Sequence, residues 1–199
     1  MMSRLLTLNN TLEEFAELGG GKAYNLFRMR NANIPVPEFI TISNSFFLDY
    51  KKWIKFKDLC GEIKSPKEDS LRIKDIFLNN PIQKVLLDDL KKALEKEGLL
   101  GQELAIRSSG LDEDSKEHSF AGMFSSYLSQ KEWKQIELSI RKCWASAYSE
   151  RCIEYRLKNN LKTTEIGMGV VIQKMVQSDV SGVMFTRNPI SQVDHDNII

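Results

Sequence analysis

Gly169-Val170-Val171-Ile172-Gln173-Lys174-Met175-Val176, with Gly182-Val183-Met184-Phe185-Thr186 shortly after it, is the part of the chain on which the fold turns. Both runs are short, apolar and rich in β-branched residues, a composition of strands rather than helices. Ser178-Asp179 between them reads as a tight turn, so the two runs are expected to pair as a hairpin. Upstream, Trp133, Ile136, Ile140, Trp144 and Ala147 recur at helical spacing and predict an amphipathic helix. Met123 to Ser129 reads as another strand, and Glu103-Leu104-Ala105-Ile106-Arg107-Ser108-Ser109 as a short buried strand running into a polar loop. Strands interleaved with helices, plus a hairpin, predict an α+β fold with a mixed or antiparallel sheet and packed helices.

The first half is mostly helical. Gly19-Gly20-Gly21 opens a helix from about Lys22 to Ala32, with Ala23, Leu26 and Phe27 on one face. Ile34-Pro35-Val36-Pro37 must be extended, because each proline disfavours helix in the residue before it. Phe39-Ile40-Thr41-Ile42 reads as a strand and Asn44 to Ile54 as a helix. Ser65-Pro66-Lys67-Glu68 resembles a capping box with proline at the first helical position, starting a helix to about Leu78. Asn80-Pro81 starts another, in which Ile82, Leu86, Leu90 and Leu94 share a face until Gly98 ends it. These two helices read as a hairpin whose role is packing.

Composition bounds the function. The 199 residues are 42% hydrophobic and 28% charged, which is ordinary for a globular protein, with no repeat or low-complexity segment. A formal net charge of +1 gives no long-range field toward nucleic acid or an anionic membrane. No apolar run approaches the ~20 residues needed to span a bilayer. The N-terminus lacks the apolar stretch of a secretory signal. Cys60, Cys143 and Cys152 are odd in number and widely spaced, which fits reduced, buried thiols and a cytoplasmic location.

Four motifs carry candidate chemistry. Gly19-Gly20-Gly21-Lys22 suggests backbone close to a ligand and a cation near phosphate oxygens, helped by the N-terminal field of the helix that follows. It is not a P-loop, since Ala23 stands where a magnesium-binding hydroxyl would be. The alternative is a flexible turn with a solvated lysine. Arg107, at the end of an apolar strand, is placed for a bidentate grip on phosphate or for an ion pair with Asp112, Glu113 or Asp114. Ser119-Phe120-Ala121-Gly122-Met123-Phe124-Ser125-Ser126 is either a loop that closes over a triphosphate or an ordinary turn into a strand. Gln173-Lys174-Met175-Val176 is either the border of a flat adenine pocket or sheet core.

Taken in order, these residues resemble a known family. Leu18-Gly19-Gly20-Gly21-Lys22-Ala23-Tyr24-Asn25-Leu26 with Ile34-Pro35-Val36-Pro37 is similar to the opening of the nucleotide-binding region of phosphoenolpyruvate synthase and pyruvate phosphate dikinase. Ala105-Ile106-Arg107-Ser108-Ser109, Glu113-Asp114, Ser119 to Gly122, Ser146 to Arg151, Tyr155-Arg156 and Gln173 to Thr186 continue the likeness in register, most weakly from Phe47 to Leu100. The resemblance implies an ATP-grasp-like fold over residues 1–199, with two subdomains holding Mg-ATP. It implies that Lys22 and Arg107 hold phosphates and act in catalysis. Gly122 and Ser126 would belong to the loop over the phosphates, and Gln173, Lys174, Met175 and Val176 would border the adenine. Phosphate would pass from ATP to a histidine on another domain, then to pyruvate on a third.

The departures qualify that expectation. Met123 stands where the family has glutamine, and neither His118 nor His195 sits in a phosphohistidine motif, so both read as loop histidines. The acidic metal ligands of the family are not in this sequence, so no metal-binding residue is assigned. The chain stops at Asp196-Asn197-Ile198-Ile199, which reads as the inside of a strand and suggests a fragment of a longer product. By itself the chain is then expected to be inactive. Two readings follow: the ATP-binding part of a phosphotransferase, or a non-catalytic module that binds nucleotide or mediates assembly. Acceptor choice, which would separate a phosphoenolpyruvate synthase from a pyruvate phosphate dikinase or a rifampicin phosphotransferase, lies on other domains.

Overall fold

Residues 3–112 and 122–184 are described by a computed structural model. In chain order they form β1 (Leu5–Leu6), α1 (Leu12–Glu14) running into a π-helical turn (Phe15–Gly19), α2 (Gly21–Asn31), β2 (Phe39–Ile42), α3 (Asn44–Trp53), α4 (Phe56–Cys60), α5 (Pro66–Asn79) and α6 (Lys84–Lys96). Then come β3 (Leu104–Gly110), β4 (Ser126–Gln130), α7 (Trp133–Ser146), α8 (Glu150–Lys158) and β5 (Met168–Lys174). The strands make one sheet in the order β1-β2-β5-β3-β4, and every neighbouring pair is antiparallel. No helix among the described residues is long and apolar enough to cross a membrane.

β5 sits at the centre, and that corrects the expected hairpin. Its residues pair with β2 on one side, Phe39 opposite Gln173, and with β3 on the other, Gly110 opposite Met168 through Leu104 opposite Lys174. Both edges are taken, so no edge remains for a hairpin partner. Residues 181–184 accordingly carry no strand pairing, and Val183 and Met184 are exposed. Phe185 and Thr186 lie outside the described residues. The expected strand at Met123 begins only at Ser126. Ahead of it, the Ser125 carbonyl accepts from both the N–H and the hydroxyl of Ser108, and the Ser125 N–H donates to Ser146 Oγ.

The alternation of the strands divides the molecule. Ile40, Ile42, Leu104, Ile106, Val170 and Ile172 face the larger core, built by α3 to α8. Phe39 and Val171 face the smaller one, built by the π-helical turn and α2, where Phe15 and Phe27 stack with centroids 4.2 Å apart. In the larger core Trp144 packs against Tyr50 at 4.8 Å and Phe47 at 5.3 Å, while Phe77 touches Phe47, Tyr50, Phe56 and Tyr148.

The helix ends are fixed by specific acceptors and donors. Ser43 and Ser149 cap α3 and α8 by accepting from Phe46 and Cys152. The capping box expected at Ser65 does not form. Ser65 makes no side-chain cap bond, and the Asp69 carboxylate, rather than that of Glu68, reaches back to accept from the N–H groups of Lys64 and Ser65, both at 2.7 Å. Pro66 does occupy the first turn, as expected. α6 starts at Lys84 rather than Pro81, because Asn80 is extended and the Ile82 N–H is held by Glu137 of α7. Leu86, Leu90 and Leu94 are buried on one face, and Gly98, at φ +66°, ends the helix. Gly98 N–H reaches Glu95 and Leu99 N–H reaches Leu94, the paired bonds of a Schellman ending. α5 packs mainly on α7 and α8. There Arg141, paired with Glu137, donates to the carbonyls of Phe77 and Leu78 at the C-terminal end of α5.

Phe77→Ala should cost about 3–5 kcal/mol in urea unfolding, whereas Leu71→Ala on the exposed face of the same helix should stay within about 0.5 kcal/mol. Cys60, Cys143 and Cys152 are free and buried, and burial pushes their thiols up, Cys143 to about 12. Ellman's reagent should therefore react with them only as the chain unfolds. Reaction at the native rate of a surface thiol would contradict their burial.

Candidate functional site

The glycine triplet is fastened to the sheet. Gly20 has φ +80°, and a Cβ there would lie 2.2 Å from the backbone oxygen of Ser109 at the end of β3. A Cβ on Gly169 of β5 would lie 2.4 Å from the oxygen of Gly19. The glycines are therefore required because the turn lies against the ends of β3 and β5 with no room for side chains. The flexible-turn reading fails on this contact. Gly20 is the N-cap of α2, yet it has no side chain to cap with. Ser109 Oγ supplies the missing acceptor, taking the Ala23 N–H at 3.1 Å from 86 residues away. Lys22 is the second residue of this helix, and its positive charge acts on the Cys143 thiol, opposing the burial that raises its pKa.

Arg107 lies midway along β3. It stands opposite Val171 of β5 and Ser126 of β4. Its Nη1 donates to Gln173 Oε1 at 3.2 Å, the diagonal neighbour on the same face. Asp112, one of the ion-pair partners weighed for it, binds Arg156 instead. Glu113 and Asp114 lie outside the described residues. Gln173 is buried and Ser126 is exposed, so the arginine joins the sheet interior to its open edge.

The far end of β5 forms a groove. The ladder continues one residue past the strand, with Lys174 N–H on the Glu38 carbonyl and Met175 N–H on the Glu103 carbonyl. Lys174, Met175 and Val176 line a cavity of about 460 Å³ together with Pro35, Val36, Pro37 and Glu38. Strand alternation puts Lys174 on the opposite face from Gln173 and Met175, and its ammonium lies 3.9 Å from the Glu38 carboxylate. Gly122 has φ +70°, and among the described residues nothing lies within 4 Å of where its Cβ would be. Ser119, Phe120, Ala121, His118 and His195 lie outside the described residues.

Lys22, Arg107, Gln173 and Met175 thus follow one another from one end of the sheet to the other. From Gly169 to Val176 the strand and its extension cover about 24 Å at ~3.4 Å per residue. The pieces missed in the sequence are Ser109 as a cap in trans and Pro35 to Pro37 as the wall facing Met175. A signal for the first was present: a serine pair ending an apolar strand and a glycine N-cap without an acceptor. Only the pairing of distant segments identifies it.

Residues 16–199 match the family described as the pyruvate phosphate dikinase AMP/ATP-binding domain. The chain is 32% identical to a phosphoenolpyruvate synthase of Aeropyrum pernix, with 98% of this chain and 25% of that protein aligned. It is 30% identical to an uncharacterized phosphotransferase, YvkC, of Bacillus subtilis, over 94% of this chain and 21% of that protein. It is also 32% identical to the prodigiosin synthesizing transferase PigC of Serratia marcescens, over 86% of this chain and 18% of that protein. The chain therefore spans a quarter or less of the length of these relatives.

Gly20→Ala should destabilise by about 3 kcal/mol or more, combining a left-handed backbone with a clash against backbone that cannot rotate away. Ser109→Ala should cost about 1 kcal/mol through loss of the cap on α2. Denaturant titration of both variants checks this; a Gly20→Ala protein as stable as the parent would restore the flexible turn.

Proposed function

Because this chain belongs to the pyruvate phosphate dikinase AMP/ATP-binding domain family, we propose that it is the part of a longer phosphotransferase that holds ATP along the Arg107 face of the sheet. The observation that carries this is the order of groups on that face. A lysine on the first turn of a helix stands at one end, an arginine in the middle, and a groove with a thioether and an aliphatic wall at the other. A nucleotide has the same order of parts: an anionic tail, a polar middle and a flat base.

In this reading Lys22 and Arg107 take the phosphates. Arg107 is held by its hydrogen bond to Gln173, which restrains the guanidinium on that face before any ligand arrives. Preorganised cations of this kind gain their effect in the transition state, when charge spreads over the transferring group. Gly122, with its left-handed backbone, and Ser126, beside Arg107, belong to the segment over the phosphates. Gln173, Met175 and Val176 border the base, and Lys174, whose side chain turns to the other face, does so through its backbone. The ATP-grasp-like arrangement with two subdomains is part of the same proposal. So is the onward transfer through a histidine on another domain to pyruvate, which is the phosphoenolpyruvate synthase reading.

The resemblance also implies Mg²⁺. Among the described residues no group of three or more His, Cys, Asp or Glu could hold a metal ion, whereas Mg²⁺ carried on nucleotide phosphates needs only one or two carboxylates from the protein.

Calorimetric titration with Mg-ATP tests the binding reading. Arg107→Ala should weaken binding at least tenfold, about 1.4 kcal/mol, with the melting curve little changed. In a longer protein carrying this region, Lys22→Ala or Arg107→Ala should lower ATP-dependent phosphorylation by about 10²–10³-fold. Full turnover in both variants would remove the phosphate roles.

A further inference from the structure

A cavity of about 750 Å³ opens on the other face of the sheet from α2, between α3, α4 and the segments flanking β3 and β5. Leu48, Phe56, Leu111 and Ile166 give it an apolar floor. Lys51, Lys52, Lys55 and Lys57 stand around that floor. Four cations within seven residues are common on a solvated face, so the count alone decides nothing. Their surroundings do.

Lys51 is half-buried, with Nζ 3.2 Å from the Ile166 carbonyl oxygen and 4.4 Å from the centroid of Phe47. Burial pushes its amine down to about 8, and the neighbouring Lys57 charge adds to the effect. The acids at the cavity are mostly committed elsewhere: Asp112 pairs with Arg156, and Glu165 with Lys162. Among the described residues Lys52, Lys55 and Lys57 form no ion pair, and the remaining acid is Asp58 on α4. Lys55 holds a left-handed backbone at φ +52° in the link between α3 and α4, a strained conformation that brings both helices to the cavity mouth. A partly desolvated cation without a carboxylate partner, over an apolar floor and beside three more cations, favours an incoming anion.

We propose that this cavity is a second binding site, separate from the nucleotide face, for a small organic anion. The ligand would join a phosphate or carboxylate head to an apolar body. The head is met by Lys51 with Lys52, Lys55 and Lys57, and the body lies on Leu48, Phe56, Leu111 and Ile166.

Pyridoxal 5′-phosphate is a suitable probe, since it carries a phosphate, a flat ring and an aldehyde. The Lys51 amine adds to the aldehyde carbon, water leaves, and borohydride reduces the resulting imine to a secondary amine that peptide mapping detects. In the 199-residue chain, Lys51 should be labelled at least tenfold faster than Lys52, Lys55 or Lys57. The charge reversal Lys52→Glu with Lys57→Glu, on two exposed side chains, should slow Lys51 labelling by pyridoxal 5′-phosphate at least tenfold more than labelling by pyridoxal, which lacks the phosphate, while leaving the melting curve unchanged. Lys51→Arg, which keeps the charge, should lose the label and still fold. Even labelling of the four lysines would overturn the proposal, as would Lys51 labelling indifferent to the charge reversal. Protection by Mg-ATP would place the nucleotide itself in this cavity and overturn the claim of a separate site.

Discussion

The contact between the glycine triplet and the ends of β3 and β5 is the constraint on which the candidate site depends. Gly20 lies against Ser109 and Gly19 against Gly169 so closely that neither Gly20 nor Gly169 can carry a Cβ. Backbone at this distance fixes where α2 begins, and Ser109 completes the attachment by accepting the Ala23 N–H. The position of Lys22 follows, since it is the next residue of that helix. A looser turn would leave the lysine free to wander relative to Arg107. Here both are referred to the same strand, two residues apart on β3.

The sheet can serve as that reference because β5 is paired on both sides and covered on both faces. Its residues from Met168 to Gln173 are buried. The larger core beneath it is aromatic, with Trp144 and Phe77 each touching several rings, and its helices are tied together by more than packing. Glu137 and Arg141 on α7 reach the two ends of the link between α5 and α6, taking an N–H from one and giving protons to carbonyls of the other. This pair is almost fully buried, so it fixes the geometry of that link, although the cost of removing both charges from water limits what it adds to stability.

The two faces of the sheet then differ in chemistry. On the α2 face the cations are held: Arg107 by Gln173, Lys22 by its helix. On the other face, Lys51 is half-buried and, among the described residues, in no ion pair. Both arrangements are proposed to favour anions, one through preorganisation and the other because a carbonyl and a ring, and no carboxylate ion pair, meet the charge. They draw on the same physical fact, that charge in a partly dry site is worth more than charge in water.

Much of this was legible in the chain. The α2, α3 and α7 helices, β2, β3 and β5 follow from the spacing of Leu26, Phe27, Ile136, Ile140, Trp144 and the apolar runs, because burial on one side imposes a period of 3.6 or 2. The family was readable too, since Gly19 to Lys22, Arg107 and Gln173 to Val176 keep its order, and these residues supply the site proposed for it. Local periodicity does not say which strands become neighbours. The hairpin at Ser178 was expected from proximity in sequence, but β2 and β3 reach β5 first in space and use both its edges. Asp69 in place of Glu68 on the Ser65 N–H, Glu137 on Ile82 and Ser109 on Ala23 were hidden for the same reason: each satisfies a backbone group with an acceptor whose position the fold sets. The sequence by itself determined which segments are helix or strand and which residues carry charge. Only the tertiary structure decided their partners, because hydrogen bonds and close backbone contacts depend on distances that the order of residues does not contain.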